Sequence, residues 1–119
     1  DVAVPISRLA DCIAETRQDI AATPLYAPMV GHVGDGNFHV FFVIDPNDTA
    51  ELAQVEQLHE RLAQRAIDMG GTCTGEHGIG LGKRMLLEHE LGRSAVDVMR
   101  AIKRSLDPHG LMNPGKVFD

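Results

Sequence analysis

The sequence predicts an α+β fold, an antiparallel sheet built around one hairpin and covered by amphipathic helices. Two observations carry that expectation. A dense turn signal, Gly34-Asp35-Gly36-Asn37, separates two strand-like runs. On both sides of it, apolar residues recur with the three-to-four spacing of helices. The chain has 119 residues, a length that suits one compact domain.

The elements follow in order. Asp1-Val2-Ala3-Val4 is strand-like. Pro5 and Ser7 open a helix in which Ile6, Leu9, Ala10, Ile13, Ala14 and Arg17 form one stripe, almost wholly apolar, that fades before Pro24. Residues 29–32 and 38–44 read as strands, with Asp35-Gly36 as the favoured two-residue loop because both positions tolerate positive φ. A second helix starts near residue 49, with Asp48 or Thr49 as its N-cap. Leu52, Val55, Leu58, Leu62, Ala66 and Met69 make its buried stripe, and Gly70-Gly71 stops it. A short helix is expected over 83–90, ending by Gly92. Ser94 then caps another, with Ala95, Val98, Met99, Ile102 and Leu106 on one face and a stop before Pro108. The tail is a set of turns around Gly110, Pro114 and Gly115.

Composition narrows the function classes. Apolar residues make up 44% of the chain, with no Trp and one Tyr, so the core must rest on Leu, Ile, Val, Met and Ala. Net charge is -6 and no run of Lys or Arg stands out, which argues against a nucleic-acid partner. The apolar stretch 40–44 is far too short to span a bilayer, and no signal-peptide pattern is present. Cys12 and Cys73 lie outside any CxxC and read as two free thiols in a reducing compartment. A cytoplasmic location follows, with peripheral attachment to a membrane as its variant. Asp1 leads straight into a strand, so the chain reads as a piece from within a longer protein.

Two places carry chemistry. With Asp35-Gly36 as the loop, His32 stands directly opposite His39 on one sheet face, their Cβ atoms about 4.5–5.5 Å apart. Two imidazoles so placed can chelate one ion, and a one-residue slip would part them. The bland alternative is a pair of surface histidines. The second place is Gly75-Glu76-His77-Gly78, in a stretch with five glycines among residues 71–82. That density exceeds what a core needs and lets backbone approach a ligand closely. Glu76 can complete a set of two histidines and one carboxylate, leaving coordination positions open for substrate. His77 can then act as a general base, since imidazole titrates near neutrality. A merely solvated loop is the alternative. His59, His89 and His109 read as solvated.

The strings Gly31-His32-Val33-Gly34-Asp35-Gly36-Asn37-Phe38-His39, Gly75-Glu76-His77-Gly78-Ile79-Gly80 and Asn113-Pro114-Gly115-Lys116 resemble the carboxyl-terminal domain of FAD-linked oxidases. That family includes D-lactate dehydrogenases, the glycolate oxidase flavin subunit and D-2-hydroxyglutarate dehydrogenase. The resemblance implies that His32, His39 and Glu76 bind a divalent metal (Zn, Mn or Fe), that His77 is the active-site base, and that the tail with Asn113 folds towards the flavin. It also implies that FAD is held mainly by an upstream domain. Residues 1–119 are then the carboxyl-terminal part of a substrate and metal domain, inactive alone. The expected substrate is a small 2-hydroxy acid, and the electron acceptor a quinone, cytochrome or flavoprotein. Where the hydroxyglutarate branch has an Asn two residues after the second metal-binding His, this chain has Phe41. An apolar group there leaves a second carboxylate unpaired, so a monocarboxylate such as D-lactate or glycolate is favoured. A metal-dependent hydrolase and a non-catalytic association module are the rival readings, and exposed strand edges leave a route to a homodimer.

Overall fold

The computed structural model describes residues 1–118. Among them are four α-helices and a three-stranded antiparallel sheet, so the fold is α+β as expected. The chain divides into two compact units, Asp1–Glu76 and His77–Asp119.

The first unit holds β1 (Val2–Ala3), α1 (Ile6–Ala21), β2 (Met29–His32), β3 (Asn37–Val40) and α2 (Thr49–Asp68). The sheet order is β1-β3-β2, which puts β3 in the centre. Side chains alternate across a strand, and this strand uses both faces. Phe38, only 2% exposed, packs with Val2, Val4, Leu9, Cys12, Leu62 and Ala66, and Val40 lies against the same cluster. Asn37 and His39 therefore occupy the opposite face. The strand expected over 38–44 stops at Val40. The Phe41 amide still donates to the Pro28 carbonyl at 3.0 Å, but proline has no N–H to return, and the ladder breaks there.

In α2, the Asp48 side chain accepts from the amides of Ala50 (2.8 Å) and Glu51 (3.1 Å), so Asp48 is the cap. Leu58, Leu62, Ala63 and Ala66 are buried, while Leu52 stays exposed. The stripe expected on α1 is rotated by part of a turn. Leu9, Cys12 and Thr16 are buried and Ile13 packs beside them, whereas Ile6, Ala10 and Ala14 face outward. Thr16 can sit inside because its hydroxyl donates to the Cys12 carbonyl at 2.6 Å. Arg65 fixes the rotation by reaching from α2 to Glu15 (2.9 Å), Thr16 Oγ1 (3.0 Å) and Asp19.

A 3₁₀ turn over Val33–Asp35 joins β2 to β3 and closes on Gly36 at φ 74°. The Gly36 carbonyl accepts from the Val4 amide at 3.0 Å, and a Cβ on Gly36 would lie 2.0 Å from the Val4 oxygen. Left-handed backbone alone costs a side-chain-bearing residue about 1–2 kcal/mol. Gly36→Ala should exceed that, because the clash is with backbone that cannot swing away. Denaturant unfolding of the variant should show a midpoint well below wild type, and an unchanged midpoint would refute this account of the turn.

The second unit holds α3 (Arg84–Leu91) and α4 (Arg93–Leu106), joined through Gly92 at φ 79°. Leu87 and Val96 are its buried apolar side chains on these helices. Ser94 lies inside the first turn of α4 and does not cap it. The expected face is only partly covered: Ala95 and Met99 are half-buried, but Val98, Ile102 and Leu106 are exposed, Leu106 at 76%. A unit of this size has too little apolar surface of its own to cover them. The last residues of the tail are held by the Val117 amide on the Gly80 carbonyl (2.8 Å), by Arg84 on the Gly115 carbonyl (3.2 Å) and by Arg100 on the Phe118 carbonyl through Nε (3.2 Å) and Nη2 (3.0 Å).

Asp107 locks the end of α4. Its carboxylate accepts from Lys103 and from the amides of Met112 (2.8 Å) and Leu111 (2.9 Å). The Lys103 hydrogen bond, then those two amides, pull its pKa from 3.8 to about 2. A folded-state value below the unfolded one gives stability that is present above about pH 4 and fades as the pH falls toward 2. Asp107→Asn should flatten the pH dependence of unfolding in that window, as followed by circular dichroism. An identical pH profile would remove Asp107 from the account.

Candidate metal centre

The sheet register differs from the one expected. Val30 pairs with His39 and His32 with Asn37, so the two histidines are not directly opposed. The loop comprises residues 33–36, and the pairing is shifted by two residues. Gly36 sets this position, since only glycine meets both its backbone angle and its approach to Val4. A two-residue shift keeps every side chain on its face. His32 and His39 thus remain on one face as diagonal neighbours, with ring centroids 6.0 Å apart and planes at 89°.

Glu76 closes the group. Its Oε1 lies 3.0 Å from His39 Nε2 and 3.7 Å from His32 Nε2. One donor atom from each of the three residues lies within 4.8 Å of the others. The Glu76 amide donates to Asp1 Oδ2 at 2.7 Å, which ties this loop to the strand end. Gly75 permits the approach: a Cβ there would lie 2.0 Å from Asn37 Nδ2 and 3.0 Å from Asp1 Oδ2. The His39 side chain is 10% exposed and that of His32 64%, so one imidazole is anchored in the fold and the other stands in the open.

These residues fit a divalent ion. Bonds of about 2.0–2.2 Å from two imidazole nitrogens and a carboxylate oxygen require donors within roughly 3–4 Å of one another, and small side-chain rotations reach that from the observed spacing. Two neutral nitrogens and one anionic oxygen suit borderline cations such as Zn, Mn and Fe(II). Phe41 continues the same face, its ring centroid 6.2 Å from that of His39, and is half exposed together with Val30. One side of the group is therefore apolar.

His77 is exposed and opens the second unit, directly following Glu76 in the chain. Asn113 is exposed at φ 49° in the tail, a conformation asparagine tolerates better than most residues. Cys12 and Cys73 are both buried, and neither is in a disulfide. Burial pushes the Cys12 thiol above its usual range, which keeps it protonated and inert. Sequence reasoning missed Asp1 and Asn37. Asp1 gave no signal, and Asn37 looked like one more turn residue.

The chain matches the family model described as FAD linked oxidases, C-terminal domain, over residues 1–117. It is 59% identical over its whole length to the probable mitochondrial D-lactate dehydrogenase of Danio rerio, covering 24% of that protein. Across 99% of the chain it is 49% identical to the mitochondrial D-lactate dehydrogenase (cytochrome) 1 of Saccharomyces cerevisiae, covering 20% of it. It is 37% identical to the glycolate oxidase subunit GlcD of Bacillus subtilis, over 99% of the chain and 25% of that subunit. The chain thus spans a quarter or less of the length of these relatives.

Proposed function

Since the chain belongs to the FAD linked oxidase C-terminal domain family, we propose that it supplies the metal and substrate side of a dehydrogenase oxidising D-lactate or glycolate. The observation that carries the reading is the meeting of His32, His39 and Glu76 on one face, with donor atoms within 4.8 Å of one another. The relatives' names favour a redox role over hydrolysis, and D-lactate recurs among them.

His32, His39 and Glu76 would hold the divalent ion. That ion, when bound, lowers the pKa of a substrate hydroxyl and fixes its carboxylate. His77 takes the hydroxyl proton on an imidazole nitrogen. FAD, bound mainly outside this chain, supplies the acceptor for the Cα hydride, so a 2-hydroxy acid leaves as a 2-oxo acid. Asn113 would face the flavin from the tail. Phe41 and Val30 offer an apolar wall that accepts a methyl group or hydrogen and leaves a second carboxylate without a partner. The yeast relative's name supports a cytochrome as electron acceptor. Among the described residues, no helix is long and apolar enough to cross a membrane.

The test is anaerobic flavin bleaching in the complete polypeptide with D-lactate, glycolate and D-2-hydroxyglutarate. The monocarboxylates should reduce the flavin, and D-2-hydroxyglutarate should do so at least about tenfold more slowly, as expected when one charged group loses its partner. Phe41→Asn should narrow that gap. Unchanged bleaching by D-lactate after complete removal of divalent metal by a chelator would sink the metal-dependent reading.

A further inference from the structure

We propose that the carboxamide oxygen of Asn37 is a fourth donor to the cation held by His32, His39 and Glu76, an inference that rests on the metal reading above. Asn37 is 6% exposed, on the central strand β3. It pairs directly with His32 and precedes His39 by two residues, so its side chain leaves the sheet on the face of both histidines. Its Oδ1 is buried and has no hydrogen-bond partner. Buried amide oxygens in folded proteins are almost always satisfied, and an exception calls for a specific cause.

The neighbours say what the cause is. The amide nitrogen lies on the Gly75 side, near the point that Asp1 Oδ2 also approaches. A neutral amide oxygen suits divalent cations that accept mixed nitrogen and oxygen donors, and an ion held by the two histidines of the same face would give this acceptor its partner. The donor set becomes two nitrogens, one carboxylate and one amide oxygen.

The test titrates the metal-free complete polypeptide with Mn(II) alone and follows free Mn(II) by electron paramagnetic resonance. Asn37→Leu should weaken Mn(II) binding at least about tenfold, the lower end seen even for groups that only support ligands. Its metal-free melting temperature should not fall, because an orphan polar atom has been replaced by an apolar group of similar branching. Asn37→Asp should melt lower than wild type without metal and gain more than wild type from saturating Mn(II), since the ion then neutralises a buried carboxylate. Asn37→Leu binding Mn(II) with wild-type affinity would overturn the proposal while leaving the three-residue centre standing. Should Asn37→Leu fail to fold, Asn37→Asp decides: a Mn(II)-induced rise in melting temperature no larger than that of wild type overturns it. A wild-type protein that takes up no Mn(II) would remove the metal centre itself, and Asn37's role with it.

Discussion

Replacing His77 by Asn in the complete polypeptide is expected to leave metal and flavin in place and to slow flavin reduction by substrate about 10²–10⁴-fold, the usual cost of losing a general base. Asparagine keeps polarity and approximate size but cannot accept a proton. His77 is exposed in a glycine-bordered loop and follows Glu76 directly in the chain, so its replacement disturbs no packed core. Rapid-mixing measurement of flavin bleaching, paired with metal analysis, isolates the chemical step. A wild-type bleaching rate in His77→Asn would assign the hydroxyl proton to another group.

The second large effect separates the two histidines of the sheet. His39→Ala and His32→Ala should both lose bound metal, and Glu76→Gln should lose metal and rate together. Only His39→Ala should also destabilise the fold, by about 1–3 kcal/mol as for other buried polar side chains removed from a packed face. The asymmetry follows from position. His39 is on the central strand, 10% exposed and 3.0 Å from Glu76, while His32 is on an edge strand, 64% exposed and 3.7 Å away. Metal content by mass spectrometry and melting temperature by calorimetry check both parts. Equal metal content in wild type and all three variants would refute the ligand assignment.

The helices, the hairpin and the three residues of the site were legible in the sequence for different reasons. Glycine density marked the loop of Glu76, and the seven-residue spacing of His32 and His39 suits a shared face across an even-numbered loop. The exact pairing was not legible, because it is set by Gly36 meeting Val4, a contact between segments far apart in sequence. The rotation of α1 was hidden in the same way: Thr16 looks like a surface residue until its hydroxyl bonds to Cys12 and Arg65 arrives from α2. Asn37 was hidden by its own suitability for turns, which masked a buried place at the start of β3.

The uncovered row Val98, Ile102 and Leu106 on α4 has a practical meaning. A helix with one oily side and one charged side is a small surfactant. Handled without a cover over that row, the second unit will favour interfaces: the walls of a vessel, the surface of a bubble, the inside of a detergent micelle. Its retention on a hydrophobic chromatography resin then measures how much of that oily side the rest of a longer polypeptide conceals.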